Sequence, residues 1–361
     1  MNNKRIDALT GIRAIAVTLV FVYHNRKYWR GMLHPELVRW INEFHVGVSM
    51  FFVLSGFLLA YTYGQSPLNS RKSYGKYMIG RAARILPLYW LILTAYYLDP
   101  KFGKLNFSFL TYSLLHGYSN IWNLKGIAQS WSLSVEMTFY ALLPLMAWQL
   151  NKNWKRLLIY LGLLTVASIS VGYLWFLYNG NPLQFFRPVK FVLGSTFSGR
   201  WLEFLVGMVL AKQLMQPSDW SVFQWKYKTM VGTLVLFALL YAIGQFQPDV
   251  FHHGSDHWIG YLMQWLLVPL AIGLMIAGLI DERTWLQRFL SSRLMVLLGN
   301  ASFAFYLIHI SYVNIRLRMW WLGPDRNFVL LWLISIVLYL MVEKPIYDFI
   351  RRLLKHSAVS N

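Results

Sequence analysis

Ten apolar stretches, each close to the length of a bilayer crossing, recur along the chain. They lie near 8–24, 46–64, 83–98, 131–150, 157–178, 191–214, 229–246, 258–280, 294–313 and 327–349. About twenty predominantly apolar residues carry a helix across the hydrocarbon core, where no water is present to satisfy a backbone that is not hydrogen-bonded internally. Composition agrees. Hydrophobic residues make up 57% of the chain and charged ones 13%, whereas a soluble domain carries about a quarter charged residues, and the mean hydropathy is +0.42. The expected fold is all-α, a polytopic membrane bundle of about ten transmembrane helices. Segment 105–118 is aromatic and only partly apolar, so an interfacial or re-entrant piece is expected there. Lys4 and Arg5 precede the first stretch as in a signal peptide. Arg13 interrupts that stretch and no small-residue cleavage site follows, which makes it a retained span. The expected organisation is one transmembrane domain over 1–350 and a short basic cytoplasmic tail over 351–361.

A net charge of +20 invites a nucleic-acid partner, but its distribution excludes one. Lys and Arg fall in short blocks between the spans, twenty on the side of the termini and twelve on the other, with Arg13 and Arg200 inside spans. That bias places both termini in the cytoplasm. The absence of cysteine excludes disulfides, thiolate metal sites and a cysteine nucleophile.

Four charged residues fall well inside spans: Arg13, Glu136, Arg200 and Glu203. Each costs about 2.5–3.5 kcal/mol at the centre of an inserting helix. Facing lipid together they would cost roughly 10 kcal/mol, so they face the bundle interior or a wet cavity. In 11-GIRAIAVTLVFVYH-24, eleven residues bring His24 to within about 20° of the Arg13 face and roughly 16 Å along the axis. A snorkelling arginine and an interfacial histidine are the alternative. In 130-SWSLSVEMTFY-140, Ser132, Glu136 and Tyr140 form an i, i+4, i+8 stripe, which suits orienting a base, binding a hydroxylated substrate, or bonding helix to helix. Arg200 and Glu203, at i, i+3, are expected to form a structural ion pair. Ser302, Tyr306 and His309 make another one-sided polar set, with His309 read as a packed, hydrogen-bonded histidine. In 251-FHHGSDHW-258, His253 and His257 have ligand-like spacing. Gly254 argues for a loop and no further ligand pattern supports it, so no metal site is expected. Arg81 and Arg84 stand at the cytoplasmic mouth of the third span, where arginines suit phosphates or simple positive-inside anchoring.

These pieces resemble the acyltransferase 3 membrane proteins, which O-acylate carbohydrates and related acceptors, over nearly the whole chain. The carriers are Arg13 and His24; Ser55 and Gly56 in 51-FFVLSGFLL-59; Arg84, Pro87 and Tyr89; Trp131, Ser132 and Glu136; 200-RWLEFLVG-207; 302-SFAFYLIH-309; and 343-EKP-345. The resemblance implies a ten-helix bundle that takes an acyl group, commonly acetyl, from acyl-coenzyme A on the cytoplasmic side as co-substrate. The acceptor it implies is a hydroxyl on a lipid-linked or surface carbohydrate. Many members carry an extracytoplasmic hydrolase-like domain, and a chain stopping after the tenth span is expected to act alone or with a separate extracytoplasmic transferase partner. The implied setting is a bacterial inner membrane.

Acyl transfer to an alcohol needs a base for the hydroxyl proton and a cation or hydrogen-bond donor for the developing oxyanion. The expected catalytic set is His24 as base, Glu136 orienting or charge-stabilising it, and Arg13. The expected substrate-binding set is Arg84, Trp131, Ser132, Tyr140, Ser55 and His309. A secondary transporter, or a translocator of acyl groups serving a separate transferase, is the competing class.

Overall fold

The computed structural model describes residues 3–64, 68, 70–99, 108–216, 221–249, 252–318 and 324–356. In chain order the main helices are α1 (Asn3–His24), α2 (Pro35–Asn42), α3 (Gly47–Tyr63), α4 (Arg71–Leu98), α5 (Trp131–Lys152), α6 (Trp154–Asn179), α7 (Val189–Ser195), α8 (Phe197–Met215), α9 (Lys228–Gly244), α10 (Trp258–Asp281), α11 (Arg293–Ile308), α12 (Pro324–Leu338) and α13 (Lys344–His356). Among the described residues no strand occurs, only an isolated bridge between Ser119 and Phe185.

Six helical segments are long and apolar enough to cross a membrane, and α9 and α11 are shorter apolar helices. The chain is a multi-pass membrane protein. α6 shows why composition was the decisive signal: Ile159, Leu163, Val166, Leu174 and Leu177 are exposed along it, a surface that hydrocarbon solvates and water does not.

The expected span 191–214 is broken. Thr196, extended at φ −116° and ψ 162°, separates α7 from α8, and its hydroxyl bonds back to the Val192 carbonyl at 2.7 Å. α10 contains a π-helical turn, Met263–Leu267. In 105–118, the described part is one α-turn, Phe109–Tyr112, and one 3-10 turn, Leu115–Tyr118, with 105–107 outside the described residues. Of the expected tail, 351–356 continue α13 and 357–361 lie outside the described residues.

The chain divides into two compact units. The first comprises Met1–Thr62 and Leu202–Ser302. Its core includes Leu9, Ile12, Val17, Phe52, Phe204 and Ile276, with Phe52 stacked on Phe204 at 4.7 Å. α3 meets the start of α8 almost without side chains between them. A Cβ on Gly56 would stand 2.2 Å from the Phe204 carbonyl oxygen, and one on Gly207 would stand 2.1 Å from the Val53 carbonyl oxygen.

The α9 N-terminus is tied down by charge. Glu282 accepts hydrogen bonds from the Lys228 and Thr229 backbone N–H groups at 2.6 and 3.0 Å, as a carboxylate does at a helix N-terminus. The Lys228 ammonium donates to Asp281 at 2.9 Å and the Trp225 carbonyl at 2.5 Å, and lies 3.7 Å from Glu282. Lys228, one of the twenty cations that the sequence puts on the side of the termini, is 2% exposed. Lys228→Met leaves this carboxylate pair without its cation. It is expected to destabilise the chain by about 1–3 kcal/mol, read as a lowered unfolding midpoint in detergent. Burial opposes ionisation of Glu282, but its hydrogen bonds with Thr229 and Lys228 and the nearby ammonium outweigh it and hold the carboxyl below 4.5. Its folded-state value is depressed, so its contribution is complete above 4.5 and lost as pH falls below it.

The second unit comprises Tyr63–Trp201 and Phe303–Asn361. Its core includes Tyr89, Leu93, Phe139, Leu143 and Phe305, with Phe305 against Trp332 at 4.3 Å. Pro144 sits inside α5, and lacking an N–H it cannot donate to the carbonyl four residues back. The carbonyl so released belongs to Tyr140, and the Tyr77 hydroxyl of α4 donates to it at 3.1 Å. The Tyr74 hydroxyl donates to the next carbonyl, Ala141, at 3.2 Å.

Candidate active site

The stripe on α5 carries two sets of polar contacts within the second unit. Tyr140 donates to Glu136 Oε1 at 2.5 Å, and Arg81 and Arg84 are the cationic neighbours of the Tyr140 hydroxyl. Eight residues away, about 12 Å along the helix, Ser132 Oγ lies 2.7 Å from Tyr306 Oη. Both hydroxyls also reach the Gln129 carbonyl, at 3.1 Å each. The Arg200 guanidinium faces the Trp131 ring at 5.9 Å and donates to the Gly194 carbonyl at 3.2 Å. The two polar sets expected from spacing, one on α5 and one on α11, therefore meet at Ser132 and Tyr306.

Arg81, a neighbour of the Tyr140 hydroxyl, also lines a cavity of about 330 Å³ formed largely by α4 and α13, with Lys76, Tyr77, Tyr347 and Arg351. Among the described residues, three cations and no carboxylate line it. The Arg81 guanidinium lies 5.9 Å above the Tyr63 ring, and its Nε is buried with no hydrogen-bond partner among the described residues. A buried donor left unsatisfied costs about 1–3 kcal/mol, and an anion in the cavity would recover it. Guanidinium groups bind phosphate with two parallel bonds.

In the first unit, His24 ends α1 half-buried. Its Nδ1 lies 2.9 Å from the Val20 carbonyl oxygen. A carbonyl only accepts, so Nδ1 carries the proton and Nε2 keeps the lone pair, the tautomer a base needs. Its ring packs edge-on against Tyr23 at 4.6 Å. Arg13, half-buried, places its guanidinium 5.8 Å from the Phe51 ring. Ser55 is half-buried on α3, beside the tightly packed Gly56.

His309 is fully buried and bonds the Tyr306 carbonyl through Nδ1 at 2.7 Å, the packed histidine that its sequence setting suggested. Gln129 was not anticipated. It sits in a 3-10 turn preceding α5, where no helical period exists to single it out. Its amide donates to the Tyr306 and Leu307 carbonyls at 2.7 Å each, while its Oε1 is buried without a partner among the described residues. His116 was also missed. It donates through Nε2 to Ser130 Oγ at 2.8 Å, the serine hydroxyl itself being committed to the Ile127 carbonyl. Burial pushes this imidazole down to about 4. It braces the turn ahead of α5 as a neutral ring.

A sequence profile of the acyltransferase 3 family, described as an acyltransferase domain, matches residues 6–342. The O-acetyltransferase OatA of Staphylococcus aureus strain NCTC 8325 is 23% identical over 340 residues, covering 86% of this chain and 51% of OatA, and OatA of strain COL gives the same values. A provisionally named O-acetyltransferase of strain COL is 24% identical over 344 residues, with the same coverage. The chain thus spans about half the length of the curated relatives it matches. No solved structure matches it. With a profile that runs from α1 to residue 342, the chain belongs to the acyltransferase 3 family.

Proposed function

We propose that the chain is a membrane O-acyltransferase that moves an acyl group, acetyl in the simplest case, from acyl-coenzyme A to a hydroxyl of a carbohydrate such as a surface polysaccharide or a lipid-linked glycan. Its setting in this reading is a bacterial inner membrane, crossed about ten times with both termini in the cytoplasm. The observation that carries the reading is the cation-walled cavity of Lys76, Arg81 and Arg351, in which Arg81 also neighbours the Tyr140 hydroxyl that bonds Glu136, a place for a phosphorylated donor near groups that manage protons. Arg81 and Arg84 hold the coenzyme A phosphates. Ser132, Tyr306 and Trp131 position substrate further along the stripe, with His309 fixing the Tyr306 backbone. His24 Nε2 takes the acceptor proton as the hydroxyl oxygen attacks the thioester carbonyl, and Arg13 and Glu136 balance the charge that develops. The carbon–sulfur bond breaks, and the coenzyme A thiolate leaves with a proton. The relatives named O-acetyltransferases support acetyl as the group.

The purified full chain, given labelled acetyl-coenzyme A and a glycan acceptor, is expected to form an alkali-labile ester that adds about 42 Da. Labelled donor group moved across a proteoliposome membrane without ester would instead establish a translocator serving a separate transferase. Arg81→Glu combined with Lys76→Glu is expected to raise KM for acetyl-coenzyme A about tenfold or more, the scale of one or two charge-assisted hydrogen bonds. An unchanged KM would remove this cavity from the reading.

A further inference from the structure

We propose that the first unit holds a divalent transition metal, zinc being the cation its donors fit best, with His45, His253 and Glu43 as ligands. One ligand atom from each lies within 4.8 Å of the other two. Tetrahedral ligands about 2.0–2.1 Å from zinc stand roughly 3.3 Å apart, so side-chain rotations totalling about 1.5 Å close the set. Spacing in the sequence had paired His253 with His257. In the structure His257 stacks on Phe246 at 5.1 Å, and His253 is matched with residues more than two hundred positions away.

The surroundings are those of ligands already oriented. Glu43 is 1% exposed, and its Oε1 accepts from Gly254 N and Gln247 Nε2, both at 2.7 Å, leaving Oε2 on the side of the His45 ring, 3.9 Å from its Nδ1. His45 donates through Nδ1 to the Asn42 carbonyl at 3.2 Å, so its Nε2 carries the lone pair. His253 Nε2 is held by Tyr23 Oη at 3.1 Å, while its Nδ1 is buried without a partner among the described residues. Second contacts of this kind, on a backbone carbonyl, an amide and a hydroxyl, are what fix the tautomers of metal-binding histidines.

Gln264 supplies an independent indication. It lies in the π-helical turn Met263–Leu267, a distortion frequently placed at functional positions. Its Nε2 is 2.8 Å from His45 Nε2, and its Oε1 is buried without a partner among the described residues. Turning the amide over exposes the His45 lone pair and presents a carbonyl oxygen as a fourth donor. Arg26, against the Tyr23 ring at 4.5 Å, is the neighbouring cation, and Asp256, bonded to His253 N at 3.3 Å, offsets it. Histidine and carboxylate donors in this number suit zinc. The metal would pin the 252–257 loop to the start of α3 and to α10.

The test uses the full chain in detergent on a histidine-free tag, stripped with chelator and dialysed against equimolar zinc. The expected result is about one zinc per chain by elemental mass spectrometry, lowered about tenfold or more in His45→Ala and His253→Ala and unchanged in His257→Ala. Cobalt added to stripped wild-type chain is expected to give visible bands of a four- or five-coordinate site, a readout that needs no variant. Zinc is also expected to raise the unfolding midpoint of wild type and His257→Ala but not of His45→Ala. A wild-type chain that retains no zinc and gives no cobalt band, or His45→Ala and His253→Ala chains that retain zinc like wild type, would overturn the proposal.

Discussion

His24→Ala is expected to lower acyl transfer by the full chain about 10²–10⁴-fold, the usual worth of a positioned general base. The structure gives the reason in one contact. Val20 O, 2.9 Å from Nδ1, commits that nitrogen as a donor and leaves the lone pair on Nε2, the atom a base uses. His24→Asn can retain a hydrogen bond to the same carbonyl but cannot accept the acceptor proton, so it separates packing from chemistry. Both variants are expected to lose kcat with little change in KM for acetyl-coenzyme A, since the donor's phosphates are assigned to the second unit. The acidic limb that an imidazole base imposes on the rate–pH profile is expected to vanish with them. A His24→Asn chain that turns over at the wild-type rate would reassign the base.

The largest stability effect is expected at Gly207. A methyl group there would meet the Val53 carbonyl oxygen at 2.1 Å and Phe57 N at 2.5 Å. Both are backbone atoms of α3, and no rotamer change relieves a clash with backbone. Gly207→Val is therefore expected to cost about 3 kcal/mol or more, at or beyond the upper end for overpacking, and to collapse the yield of monodisperse protein in detergent. Gly162→Ala on α6, where a Cβ meets nothing within 4 Å, is the control. Removing a glycine from a helix interior there is expected to be neutral or to stabilise by about 0.5–1 kcal/mol. Equal thermal midpoints for Gly207→Val and wild type would show that α3 and α8 do not pack this closely.

The helices themselves were legible because hydrocarbon imposes a length and a composition on each crossing. The polar stripe of Ser132, Glu136 and Tyr140 was legible because a helical period places them on one face, and the structure finds hydrogen bonds along it. Periodicity reports the faces of one helix and says nothing of which helix answers it. The Ser132–Tyr306 contact, 174 residues apart, needed coordinates. So did His45 with His253, and so did the burial of Lys228, which in sequence looks like any other cation beside a span. Gln129 and His116 lie in short 3-10 turns, where no repeating pattern distinguishes a buried polar residue from an exposed one.

Pro144 carries a consequence for how a donor could reach the cavity. The tyrosine hydroxyls that serve the carbonyls near it come from α4, so pulling α4 from α5 would take from the Tyr140 carbonyl the donor that replaces its helical partner, at a cost of about 1–3 kcal/mol. That seam ties α4 to α5, so under the proposed function any room a nucleotide donor needs is expected from the wall where α13 contributes Tyr347 and Arg351.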